Sequence, residues 1–111
     1  MARVYSTQLA SVVSLGAGPT EVGLVPIGSV WVVRHMTAYF ANVVSAPLDG
    51  FQVHTGAGLY VWVVGPLGVS CALPYDWSGR HVFNAGEALY FDSVDDANWQ
   101  LLISGYELEL P

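Results

Sequence analysis

Glycine and proline divide this chain into short runs that suit strands and little else. Gly16-Ala17-Gly18-Pro19, Pro26-Ile27-Gly28, Pro47-Leu48-Asp49-Gly50, Gly56-Ala57-Gly58, Gly65-Pro66-Leu67-Gly68 and Asn84-Ala85-Gly86 each supply a turn backbone. Glycine reaches positive φ without steric cost, and proline presets φ while donating no ladder hydrogen bond. Between these breakers lie segments rich in Val, Tyr, Trp, Phe and Leu, side chains that fit a pleated, half-buried surface. No apolar stripe of 3.6-residue period runs between helix caps. The reading is an all-β chain with strands at Val4–Leu9, Glu21–Val25, Ser29–Val44, Phe51–His54, Leu59–Val64, Val69–Leu73, Arg80–Phe83, Ala88–Asp92 and Trp99–Leu110.

Eight or nine strands of this kind predict an antiparallel β-sandwich, jelly-roll-like, with an open Greek-key barrel as the alternative. The 111 residues allow one domain, 1–111, with residues 1–27 read as an N-terminal arm contributing edge strands. Ser29–Val44 is too long for one flat strand and is expected to bend or switch sheets near Met36–Ala38. Ser104-Gly105 is expected to form a bulge or corner in the last strand. There Tyr106-Glu107-Leu108-Glu109-Leu110 alternates, so Tyr106, Leu108 and Leu110 should face a core and the glutamates solvent. Leu59–Val64 and Val30–Val33 are apolar on both faces, so a neighbouring subunit or a loop should cover the outer one.

Composition sharpens that last expectation. Apolar residues make up 53% of the chain and charged residues only 11%, against about 25% in ordinary globular domains. Lysine is absent, leaving Arg3, Arg34 and Arg80 as the fixed cations. So small a domain has a large surface for its volume, and surplus apolar surface calls for cover by other subunits. A net charge of −6 repels a phosphate backbone and anionic lipid, which argues against nucleic-acid and membrane binding. Cys71 has no second cysteine to pair with and reads as an inert strand thiol. The first fourteen residues hold no continuous apolar core of a secretory signal, and no run approaches a spanning helix, so synthesis in a cytoplasm is expected.

Catalytic and metal constellations are sparse. His35, His54 and His81 stand far apart, without the His-x-His of a cupin; a cupin-like metal enzyme is the weakest reading. No Gly-x-Ser-x-Gly elbow occurs. Asp92, Asp95, Asp96 and Asn98 cluster hard oxygen ligands, but not at the spacing of a calcium loop. The expectation is therefore no enzyme, no cofactor and no metal. Aromatic residues carry more information. Tyr75, Asp76 and Trp77 follow Pro74 in a presumed connection and could stack on and hydrogen-bond a sugar, making a carbohydrate-binding module the main alternative. The other reading makes Trp77 an anchor to the core or to a neighbouring subunit. Trp31, Arg34, Tyr60, Trp62, Trp77 and Arg80 are the candidate interface residues: aromatics and arginines dominate interface energetics, and each scarce arginine should seek a carboxylate.

The segments GSVWVVRHMTAYFANV (28–43), WSGRHVFNAGEALYF (77–91) and WQLLISGYELELP (99–111) resemble small β-sandwich virion proteins of tailed bacteriophages. The shared pattern is a Gly-x-x-Trp-x-Val-Arg strand, a Trp-x-Gly-Arg-x-Val … Asn-Ala-Gly-Glu hairpin and a closing Ser-Gly-Tyr-x-Leu strand, over Gly28 to Pro111. The resemblance implies a non-enzymatic structural role on a particle: capsid decoration, or a neck or tail accessory. It also implies a homo-oligomer, such as a trimer or ring, docked on other virion proteins such as the major capsid protein.

Overall fold

The computed structural model describes the backbone of residues 3–15, 18–40, 47–48, 50–65, 67–69, 75–93 and 99–110, with side chains for 9–11, 18–39, 50–65, 75–93 and 99–110. Among the described residues ten strands follow in order: β1 (Arg3–Leu15), β2 (Gly18–Leu24), β3 (Ser29–Phe40), β4 (Pro47–Leu48), β5 (Phe51–Thr55), β6 (Tyr60–Val64), β7 (Leu67–Val69), β8 (Tyr75–Phe83), β9 (Ala88–Ser93) and β10 (Trp99–Glu109). Eight of them form two four-stranded antiparallel sheets, β1-β10-β3-β8 and β2-β9-β5-β6, while β4 and β7 make a small separate pair. The chain is thus all-β and folds as a β-sandwich. Pro47-Leu48 and Leu67-Gly68, read as turns from sequence, are strand instead, with Pro47 opposite Val69 and Leu48 opposite Leu67.

The turns follow glycine chemistry. Ser29 N donates to Pro26 O at 3.1 Å across a tight turn in which Gly28 holds φ 87°, a left-handed value that favours glycine. The β8–β9 turn closes through Glu87 N to Asn84 O at 3.1 Å, and the Glu87 carboxylate also accepts from Asn84 N at 2.6 Å.

One core joins the sheets. Phe51 of β5 lies 4.9 Å from Trp62 of β6, 5.1 Å from Phe91 of β9 and, across the sandwich, 4.7 Å from Trp99 of β10. Such a ring contributes about 1.5–3 kcal/mol by burial, and favourable pair geometry adds about 0.5–1.5 kcal/mol. The Trp99 indole N–H is satisfied internally, donating to Ser93 Oγ at 3.1 Å. At the other end Trp31 of β3 packs over Gly23 of β2, where a Cβ would meet its ring at 3.0 Å.

A seam of irregularity crosses the first sheet at one level. Between Gln8 and Ala10, β1 carries an extra residue against β10; β3 carries one against β10 at Arg34; and Gly79-Arg80 of β8 oppose Arg34. The bend expected near Met36–Ala38 is therefore a bulge at Arg34, and β3 stays in one sheet to Phe40; residues 41–44 lie outside the described set. Gly105 accommodates its neighbour's bulge: a Cβ there would sit 2.0 Å from the Val32 carbonyl oxygen.

That placement corrects the expected facing of the last strand. Trp99, Leu101 and Ile103 point inward, and β10 keeps its phase through Gly105 because the extra residue belongs to its partners. Glu107 therefore shares the side of Trp31 and accepts its indole N–H at 3.0 Å, while Tyr106 and Leu110 are exposed. Arg3–Leu24 supplies one edge strand to each sheet.

Candidate interaction surfaces

The outer face of the first sheet is divided by the bulge seam. On one side the register rows Tyr106–Val32–Val82 and Leu108–Val30 form an apolar patch, with Val82 and Tyr106 about two-fifths exposed (41% and 40%). On the other side lie His35, Thr37, Tyr39, Asp76, Ser78 and Gln100. Thr37 Oγ1 donates to Asp76 Oδ1 at 2.7 Å, His35 Nε2 lies 3.2 Å from the same oxygen, and Tyr39 donates to Gln100 Oε1. A threonine, a histidine and an aspartate together invite comparison with a catalytic triad. The geometry is wrong for one: a relay needs the carboxylate on one ring nitrogen and the nucleophile on the other. Here hydroxyl and imidazole converge on one carboxylate oxygen through the same Nε2, with Thr37 Oγ1 also 3.4 Å from it.

The outer face of the second sheet carries a row that sequence reasoning missed. Register places Tyr60, His54 and Tyr90 side by side on β6, β5 and β9. His54 stacks on Tyr90 at 5.6 Å with 15° between planes, and meets Tyr60 edge-on at 5.6 Å. Its Nε2 lies 3.7 Å from Asp92 Oδ2 and its Nδ1 lies 2.8 Å from the Thr55 carbonyl oxygen. Gln52 and Val63 complete the neighbouring row. The signal was strand alternation in Phe51–Thr55 and Ala88–Ser93, which turns His54 and Tyr90 outward together, but the pairing of those strands is a tertiary fact.

The proposed interface residues separate into three groups. Trp31 and Trp62 are core residues, 6% and 8% exposed, so neither is a surface contact. Arg34, Tyr60 and Arg80 are exposed, Tyr60 at the edge strand β6 beside Leu59 and Val63. Trp77 is half-buried against the core and lies within strand β8, not in a connection. The Tyr75–Asp76–Trp77 platform is likewise corrected. Alternation along β8 turns Asp76 outward, whereas Tyr75 and Trp77 pack inward, Tyr75 6.1 Å from Phe51 and 6.2 Å from Trp99.

The three histidines occupy different places: His35 and His54 on opposite outer faces, and His81 on β8 against Phe83 at 4.6 Å. Among the described residues no group of three or more His, Cys, Asp or Glu side chains is placed to hold a metal ion. Cys71, Asp95, Asp96 and Asn98 lie outside the described residues. At one pole the turn residue Ile27 is 86% exposed, with Leu24 at 57% and Leu110 at 46% nearby in the chain path, since Leu110 N donates to Gly28 O. The chain matches no family model, no curated protein and no solved structure.

Proposed function

We propose that this chain is a non-enzymatic structural subunit of a tailed-phage particle, assembling with copies of itself and docking on larger virion proteins as a capsid decoration or a neck or tail accessory. The observation that carries the reading is exposed apolar surface on a lysine-free chain. Leu24, Ile27, Leu59, Tyr60, Val63, Val82, Tyr106 and Leu110 are all open to solvent in the single chain, which has only 11% charged residues to offset them. Surface of that kind is what subunit contacts cover. We read the strand orders β1-β10-β3-β8 and β2-β9-β5-β6 as a jelly roll, the winding in which two Greek keys exchange strands between facing sheets. That winding, like the sequence resemblance, suits a shell protein. The test is mass spectrometry of gradient-purified phage particles from cells expressing the chain. Retention at a fixed copy number through a high-salt wash supports the role, and absence from the particles refutes it.

Carbohydrate recognition remains the second reading, moved from Tyr75 and Trp77 to the Tyr60–His54–Tyr90 row. Tyr60 is 59% exposed there, and Gln52 and Asp92 in the adjacent register row are the hydrogen-bonding groups. A glycan array separates the two readings: selective binding abolished by Tyr60→Ala favours sugar recognition, and no binding across neutral sugar classes removes it.

A further inference from the structure

Arg34 and Arg80 are two of the three arginines in a chain with nine acidic residues. The fold brings this scarce charge together. Gly79-Arg80 of β8 oppose Arg34 of β3 at the bulge seam, and both arginines are exposed, Arg80 on the edge strand and Arg34 on the strand beside it. Seating them is structurally demanding. Arg34 is an extra residue against β10, accommodated because Gly105 leaves room for the Val32 carbonyl. Bulges of this kind re-aim side chains and recur beside functional sites.

The pair nevertheless has no internal counterion. Among the described residues the ion pairs are His35 with Asp76 and His54 with Asp92; neither guanidinium takes part in one. Asp76, the acid on the same face, is held by His35 and Thr37. Two adjacent cations on a chain of net charge −6 make a receptor for carboxylates, to which guanidinium binds in a fork.

The carboxylates show a matching surplus. Asp76 and Asp92 hold histidines, Glu107 accepts from Trp31, Glu87 accepts from Asn84 N, and Glu109 is also engaged. Glu21 alone among the described carboxylates is exposed without such a partner. It lies on β2, an edge strand of the second sheet, packed beside β1, where a Cβ on Gly23 would lie 3.8 Å from Ala10 Cβ. β8 is the edge of the first sheet farthest from β1. Unmatched positive and negative charge therefore sit on opposite flanks of one molecule.

We propose that the Arg34–Arg80 pair receives Glu21 of a second copy, joining copies head to tail. Such a heterologous contact closes into a ring when its rotation permits. The proposal rests on the self-assembly part of the reading above and names the contact that performs it. Tyr60 and Val63, exposed on β6, the edge of the second sheet farthest from β2, and Leu59 just before that strand supply apolar area to the contact.

The experiment is light scattering after size exclusion of the wild type, the double variant Arg34→Glu/Arg80→Glu, the variant Glu21→Arg, and an equimolar mixture of the two variants. Salt is set at about 50 mM and about 500 mM, since screening weakens exposed charge pairs. The expected result is a wild-type oligomer that weakens in high salt and variants that associate at least ~10-fold more weakly. The two variants associate again when mixed, because each contact between unlike copies once more joins opposite charges; an odd-numbered ring keeps one like-charged contact, so the readout is association of the two variants with each other. Thermal melts establish that the variants fold; if a reversal does not fold, Arg34→Gln/Arg80→Gln and Glu21→Gln replace them, each expected to weaken association. Unchanged oligomers in the variants overturn this contact, as does a mixture of the folded charge-reversal variants in which the two do not associate with each other. A monomeric wild type overturns it too, while retention on purified particles would still uphold the virion role.

Discussion

Replacing Gly105 by alanine tests the bulge seam directly. Gly105 sits on β10, which is paired on both sides, and its φ is not in the left-handed region, so its own backbone tolerates a side chain. The obstacle is steric. The added Cβ would lie 2.0 Å from Val32 O and 3.0 Å from both Val32 C and Arg34 N, all backbone atoms that no rotamer change can move. Restoring ordinary contact requires the β3 backbone to retreat by more than about 1 Å, which takes the adjoining ladder hydrogen bonds out of range. Losing one or two of them, with their polar groups left poorly paired, costs about 3 kcal/mol. In a domain of this size that lowers Tm by about 10–20 °C. Gly28→Ala is the control: its φ of 87° is unfavourable for alanine, but nothing lies within 4 Å of the new Cβ, so it costs only about 1–2 kcal/mol. Urea unfolding followed by circular dichroism, at matched protein concentration because assembly adds stability by mass action, ranks the two. If Gly105→Ala is no more destabilising than Gly28→Ala, the close approach of β3 and β10 is wrong, and with it the placement of Arg34.

Trp31→Ala and Trp62→Ala each lower unfolding free energy by about 3–5 kcal/mol in urea melts, as core residues do; Tyr60→Ala changes it by under about 0.5 kcal/mol, as expected of an exposed side chain. Trp31, Trp62 and Trp99 are buried, so acrylamide quenches the native protein weakly and Trp77→Phe removes most of the quenchable emission. Asp76→Ala, which releases Thr37 and His35 on a face where the His35 and Asp76 side chains are 46% and 55% exposed, lowers stability by less than about 1 kcal/mol in thermal melts.

The sequence was most informative where local chemistry decides. The Pro26-Ile27-Gly28, Gly56-Ala57-Gly58 and Asn84-Ala85-Gly86 breakers all mark turns, and strands occupy most of the apolar runs. It was least informative where partnership decides. Tyr75–Gly79 reads as a connection after Pro74, yet becomes strand because β3 is long enough to pair with it. Trp31 and Trp62 sit in segments apolar on both faces, so alternation could not say which residue turned inward. The Tyr60–His54–Tyr90 row joins three strands whose adjacency no local pattern encodes.

Tyr106–Leu110 shows why alternation misleads beyond a bulge. In β10 the apolar residues change phase between Ile103 and Tyr106, and the intervening glycine invites the inference that β10 itself is bulged. A bulge in the partner strand gives the opposite answer: β10 runs on in phase, Glu107 turns toward Trp31, and Tyr106 turns out. The same seam explains Arg34. Met36 and Ala38 face inward, and an unbroken period of two would carry Arg34 inward with them. An unpaired guanidinium in that core would cost several kcal/mol. The extra residue instead returns Val33 and Trp31 to the core and leaves Arg34 exposed, opposite Arg80. The irregularity that defeats pattern reading on β10 thus resolves a conflict between core packing and a charged residue, and it places positive charge on the outer face of an acidic molecule, opposite Arg80 of the edge strand.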